Sequence, residues 1–388
     1  MELVFNYIFS VGIIFSHVIG YIISALAFLL IYKHWNYIKK EKIVLFITAF
    51  LIYGFLWIPF CDYQKEAAEE MFTYLTSWLF PFVLGYFIVD NIKKEQLVKI
   101  YISVFVVVLF VSVLSYFGLF YERFIDMPLA IKEQHLQGNL WHISCGAMCV
   151  LLSCFTLIPL MFKENLIFKQ KVILFLMTIF FMICLYLTGS RGYYIAGFIT
   201  YLFMFAFYIF KTKKFKIPLI IFILCAVIIA VLFSNNKFMR DRIENTSITK
   251  EWSLTNRLEA YEVAVAIFKD NFVLGVGPRQ AVRQIRYYEQ LNIEKKDSKD
   301  GRHMHSMYFN LVADFGTIGF VLFCVIIFLI FKRLYISYKK EGSILALCLL
   351  FAWISLLIGD CFDTVLRGPR VAMDYFWLTG LFINKDKI

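Results

Sequence analysis

Apolar runs of about 20 residues recur along the chain between short polar clusters, the length a helix needs to cross a bilayer. They lack the period-two alternation of barrel strands, so helices are the element that satisfies their backbone in lipid. The pattern predicts eleven spans, near 8–32, 43–60, 73–90, 98–120, 141–161, 170–187, 193–210, 217–234, 308–331, 343–362 and 370–384. The run 8–32 is long for one span and admits a second reading as two short helices, which would make twelve. One polar stretch, 235–306, interrupts the pattern. Within it Thr255 is placed to cap a helix whose Leu258, Tyr261, Val265 and Phe268 share one face. Gly275, Gly277 and Pro278 form a structural turn after that helix.

The expected fold is an all-α polytopic integral membrane protein with about eleven (10–12) transmembrane helices and one long extracytoplasmic loop containing short helices. Residues 1–388 read as a single integral membrane domain, with 235–306 as an insert within it. No internal repeat or low-complexity linker divides it.

The connections sort into two alternating classes. One is rich in lysine, as at Lys39, Lys40 and Lys42, or Lys211, Lys213, Lys214 and Lys216. The other comprises 61–72 with Asp62, Glu66, Glu69 and Glu70, then 121–140, the turn at Arg191, the long loop and 363–370. The positive-inside rule assigns the lysine class to the cytoplasm and the other class to the outer face.

Composition strengthens the membrane reading: 61% of residues are hydrophobic and 19% aromatic, and mean hydropathy is +0.73. The net charge of +11 is dispersed between apolar runs, which orients helices and builds no groove for nucleic acid. Of nine cysteines, Cys61 and Cys361 fall at segment ends and the others inside apolar runs, as small core residues. The N-terminus shows no basic n-region or cleavage site of a signal peptide.

Arginine is distributed differently from lysine. Eleven of twelve arginines lie on the side assigned to the outer face, Arg333 being the exception. Topology needs only charge, whereas the guanidinium fork grips phosphate or carboxylate at two points. An anionic ligand at that face is one reading, and solvated arginines beside acidic neighbours are the other. Arg191 stands in the turn Thr188-Gly189-Ser190-Arg191-Gly192, where Gly189 and Gly192 permit close approach; ligand binding and snorkelling to lipid headgroups both fit there. Arg257 falls in the first turn of the loop helix, and Arg279, Arg283 and Arg286 at i, i+4 and i+7 predict a basic stripe.

His303 and His305 end the loop just before a span. Their spacing admits a metal or a structural role, but no third ligand stands nearby, and a general base at the water boundary is the preferred reading. Asp314 is too far along the helix to partner His305 and is expected to fix a helix end. Asp360, Asp363 and Asp374 either line the same cavity or pair with Arg367 and Arg370.

These motifs carry a resemblance. Thr188-Gly189-Ser190-Arg191-Gly192, then Asn256-Arg257 and Gly275-Val276-Gly277-Pro278, then His305-Ser306-Met307-Tyr308-Phe309 running to Asp314-Phe315-Gly316-Thr317-Ile318-Gly319, resemble the bacterial O-antigen ligase and polymerase superfamily over roughly 170–330. The resemblance implies metal-independent, cofactor-free, inverting glycosyl transfer at the outer, periplasmic face of the bacterial inner membrane. The implied donor is a glycan on undecaprenyl diphosphate. Ligases pass it to a sugar hydroxyl of lipid A-core in lipopolysaccharide biosynthesis; polymerases of O-antigen or capsule pass it to a second lipid-linked glycan. Arg191 and Arg257 match the family's diphosphate-binding arginines and His305 its catalytic histidine. Arg279, Arg283 and His303 are neighbours of matched positions, inferred to bind diphosphate or glycan. Two features depart from the family: Ser306 stands where asparagine is frequent, and eleven spans are one short of the usual count. A multispanning transporter is the reading from another class, but it would place paired ionisable groups near mid-membrane, and few are found.

Overall fold

The computed structural model describes residues 2–88, 91–120, 123–124, 127–131, 134–215, 252–293 and 304–383. The expected span 217–234, most of the loop's two flanks and His303 lie outside the described residues. The described residues are almost wholly helical, and the strands among them are two minimal hairpins within 123–136. Among the described residues six helices are long and apolar enough to cross a membrane, and the protein is a multi-pass membrane protein.

The first expected span is not one helix. Residues Glu2–Phe15 (α1) and His17–Lys33 (α2) are separated at Ser16, whose extended backbone ends the first helix and whose hydroxyl caps the second at the Val18 nitrogen, 3.2 Å away. Asn6 donates to the Leu84 carbonyl at 3.0 Å and accepts from the Trp377 indole at 2.7 Å, while the Ile14 carbonyl accepts from Asn139. Helix α1 therefore rises toward the 121–140 connection and α2 returns from it. Apolarity alone does not reveal a break when both halves are apolar.

Helix α3 (Lys42–Trp57) leads to α4 (Gln64–Tyr74), which continues through one π turn, Leu75–Leu79, into α5 (Phe80–Tyr86). Then follow α6 (Asn91–Tyr116), α7 (His142–Phe162), α8 (Phe168–Leu187) and α9 (Arg191–Thr212). The loop supplies α10 (Trp252–Asp270) and α11 (Ile285–Gln290), and the chain closes with α12 (Met307–Glu341), α13 (Ile344–Gly359) and α14 (Pro369–Phe382). Helices α7 and α14 are almost wholly buried, and Phe376 of α14 stacks on Trp78 of the π turn and meets Trp353 of α13 edge-on. Gly85 and Gly380 let α5 and α14 meet backbone to backbone, as small residues do at membrane helix interfaces.

The two classes of connection occupy opposite ends. Glu41 pairs with Arg333 at 2.8 Å and the His34 ring lies against that of Phe87, joining lysine-class connections. At the other end Glu66 and Glu70 of α4 reach Arg283 and Arg367, and His135 reaches the turn after α8. Cys61 and Cys361, at that end, are free thiols.

Helix α12 is broken at Gly316, whose φ of 60° and ψ of −162° interrupt the helical ladder. The loop satisfies the groups this frees. Val276 and Gly277 donate to the carbonyls of Ala313 and Asp314 at 3.1 and 2.8 Å, and Thr317 donates back to Phe272 at 2.9 Å. The Tyr53 hydroxyl lies 2.8 Å from the Leu274 carbonyl and 3.1 Å from that of Phe315, closing the crossing. Gly275 at φ 74° lies so close that a Cβ there would sit 2.5 Å from the Asp314 oxygen. The turn expected at Gly275, Gly277 and Pro278 thus stitches the loop to the kinked helix.

Candidate active site

The turn after α13 is the hub. Asp360 ends that helix, and its carboxylate accepts from the Val365 and Leu366 nitrogens at 2.8 and 3.3 Å, folding the chain back on itself. The carbonyls of Asp360 and Asp363 receive the Met307 nitrogen at 3.0 and 3.1 Å. A donor left unpaired at the start of α12 is satisfied by this turn.

His305 precedes α12 by two residues, in a left-handed backbone conformation with φ 52°. Its carbonyl accepts from the Tyr261 hydroxyl at 3.1 Å, and the same hydroxyl reaches the Cys361 carbonyl at 3.2 Å. Tyr261 stacks on Phe309 with ring centroids 4.4 Å apart, which fixes α10 against the start of α12. One helical turn before Tyr261, Arg257 sets its Nη2 3.8 Å from Asp363 Oδ2. That separation is a charge contact longer than a hydrogen bond, so it does not consume the guanidinium fork. Burial pushes the Asp363 carboxyl up, against the Thr364 N–H, Arg257 and His305, each of which favours the carboxylate. The hub's acid therefore sits in the field of both the arginine and the imidazole.

Arg191 comes to the hub from a third direction. Gly189 takes a φ of 67°, and Thr188 Oγ1 accepts from the Ser190 nitrogen at 3.2 Å, so the chain reverses and α9 begins at Arg191. Gly192 then packs on Phe362, where an added Cβ would lie 3.2 Å from the Phe362 Cβ. A helix N-terminus favours an anion, and here it opens beside residues 360–363. Three separate elements thus bring Arg191, Arg257 and His305 to one turn.

A family model described as O-antigen ligase matches residues 174–324, from within α8 to within α12, and no curated protein matches the chain. Over that interval the chain is similar to the O-antigen ligase family. The matched interval contains Arg191, Arg257 and His305, but not the hub turn on which they converge.

The other expected arginines stand elsewhere. The basic stripe does not form: Arg279 has a φ of 60°, a 3-10 turn spans Ala281–Arg283, and α11 starts only at Ile285. Asp314 contributes to this, because its Oδ1 accepts from the Ala281 nitrogen at 2.9 Å and anchors the turn; it lies inside α12 and holds the loop turn, where it was expected to fix the end of its own helix. Arg279 lies 3.3 Å from Glu69 and 3.7 Å from Glu66, and Arg283 grips both Glu66 oxygens at 2.7 and 3.3 Å. Both arginines are engaged in tying the loop to α4. Arg286 lies over Tyr287.

Two further expectations change. Helix α10 already includes Trp252, so Thr255 is not its cap and Arg257 stands beyond its first turn. Its buried face is Ala260, Val263, Ala264 and Ile267, while Leu258 and Val265 are exposed. Small residues let α10 pack closely on Ala313 of α12, and the bulky ones face outward. Asp363, given only as one of several acids, lies 3.8 Å from Arg257, whereas Arg367 pairs with Glu70 and Arg370 donates to the Asn139 carbonyl. His135 places its Nδ1 3.0 Å from the Thr188 carbonyl and stacks on His142 beside the Arg191 turn. No local signal pointed to it, since the partners are 53 residues apart.

Proposed function

We propose that the protein is a glycosyltransferase of O-antigen ligase type, moving a glycan from undecaprenyl diphosphate to a sugar hydroxyl of lipid A-core at the outer face of the inner membrane. The convergence of Arg191, Arg257 and His305 on residues 360–363 carries this reading. Breaking the bond between the anomeric carbon and the phosphate oxygen leaves negative charge on the diphosphate. Two guanidinium groups and the start of α9 are suited to receive it. His305 takes the proton of the acceptor hydroxyl as that oxygen bonds to the anomeric carbon. Asp363 steadies the imidazolium that results, as a buried carboxylate does beside other catalytic histidines. Attack opposite the leaving group inverts the anomeric configuration. Diphosphate is already a good leaving group, so this route invokes no metal.

The same chemistry with a lipid-linked glycan as acceptor is polymerisation. Ser306 does not separate the two, because its hydroxyl donates to the Asp360 carbonyl at 3.2 Å and is turned into the hub. Gel analysis of surface glycan in a strain lacking the gene does separate them. Retained lipid-linked polymer with none on lipid A-core supports the ligase; a single repeat capping the core shows a polymerase. Transfer predicts release of undecaprenyl diphosphate from the purified protein, and cargo flux across vesicles without such release would instead show a transporter. His305→Ala should abolish transfer while the protein still folds and inserts, and an undiminished rate in that variant would remove the proposed base.

A further inference from the structure

We infer that Asn310, locked by the buried Glu70 and Arg367 pair, is a positioning residue that holds His305 in its working conformation. The inference rests on His305 being the base. A non-glycine residue at φ 52° adopts a conformation that persists only where its surroundings over-determine it. Here the determining contacts fall on the two residues that bracket the histidine. Asn310 Oδ1 accepts from the Met304 nitrogen at 3.1 Å, and Asn310 Nδ2 donates to the Ser306 carbonyl at 2.8 Å. One side-chain amide therefore spans the strained residue on both sides. The reverse amide orientation would set donor against donor at Met304 and acceptor against acceptor at Ser306, so the network fixes this one.

Asn310 is in turn held from outside its own helix. Arg367 Nη1 lies 3.5 Å from its Oδ1, and Arg367 Nε donates to Glu70 Oε1 at 2.5 Å. The Glu70 and Arg367 side chains are only 8% and 10% exposed, and Asn310 is 3% exposed. None of the three is open to a bulky glycan, which distinguishes them from groups that touch substrate. The chain Glu70, Arg367, Asn310 links α4 and the hub turn to the histidine backbone.

The test uses the full chain purified in detergent, with a lipid-linked glycan donor and a saturating acceptor. Asn310→Ala should lower kcat about 100-fold, the order of loss expected when a reacting group is displaced by about an ångström. The donor KM should stay near the wild-type value, because Arg191 and Arg257 are untouched. Asn310→Asp keeps the acceptor for Met304 and Arg367 and should recover part of the lost rate. If Asn310→Ala does not fold, Asn310→Asp carries the test: a lowered kcat at unchanged KM supports the inference and an unchanged kcat overturns it. A parallel rise in KM with loss of thermal stability would mean a structural role only, and overturns it too. His305→Ala in the same assay separates the two levels. If that variant is inactive while Asn310→Ala turns over like wild type, the positioning inference falls alone; if His305→Ala remains active, the reading of the site falls with it.

Discussion

Gly275→Ala places a methyl group where the loop crosses the broken helix. A Cβ at this position would lie 2.5 Å from the Asp314 oxygen and 2.5 Å from the Gly316 nitrogen, and both are backbone atoms that cannot rotate aside. The residue also has a φ of 74°, which costs an alanine about 1–2 kcal/mol by itself. Overpacking at a rigid contact adds about 1–3 kcal/mol. Relief requires the strands to part, which lengthens the bonds from Val276 to Ala313 and from Gly277 to Asp314, now 3.1 and 2.8 Å, each worth about 1 kcal/mol. The total is about 3–6 kcal/mol, concentrated on the arm of α12 that directly follows His305. Gly342→Ala is the control, because Gly342 has a similar φ of 66° and nothing within 4 Å of its added Cβ. Thermal unfolding of the purified variants should show a loss on the order of 10 °C for Gly275→Ala, with transfer abolished, and only a small shift with full transfer for Gly342→Ala. Equal effects of the two substitutions would refute the argument, since backbone conformation alone would then explain both.

Two other substitutions separate the arginines. Arg283→Ala removes a side chain that is 40% exposed and paired with Glu66; such a pair contributes up to about 1 kcal/mol, so transfer should remain close to wild type, and a loss comparable to that of Arg257→Ala would show that it touches substrate. Arg191→Lys should be severely impaired in kcat/KM for the lipid-linked donor, because a point charge does not reproduce two-point binding of a diphosphate; near-normal turnover would assign Arg191 to headgroup contact.

The sequence exposes what depends on local periodicity. The apolar runs near 141–161, 170–187 and 193–210 become α7, α8 and α9 with their ends displaced by a few residues. Breaks inside apolar runs were hidden, because Ser16 and Gly316 interrupt helices whose two sides are equally suited to lipid. The run 73–90 likewise conceals the π turn at Leu75–Leu79. At the site, Arg191, Arg257 and His305 were legible as residue types unusual for their places in the pattern. Their convergence was not, because it is made by a turn near the other end of the chain. Glu70 and Arg367 are 297 residues apart, and nothing in either neighbourhood announces the other.

The arginines at one end of the bundle are sorted by the distances to their carboxylate partners. Arg367 and Arg283 hold their acids at 2.5 and 2.7 Å, where the charge-assisted bond is already made and a phosphate would have to break it. Arg257 stands 3.8 Å from Asp363, close enough to be oriented and too far to be bonded. On the proposed reading, an incoming diphosphate would meet a guanidinium whose position is set and whose donors are not all committed, which would lower the reorganisation needed on binding. The same Asp363 carboxylate lies in the field of His305. Drawing Arg257 toward a diphosphate would therefore leave Asp363 facing the imidazole with less competition, at the stage when that imidazole must accept a proton. On the proposed reading, binding of the donor and readiness of the base would be joined through one buried acid.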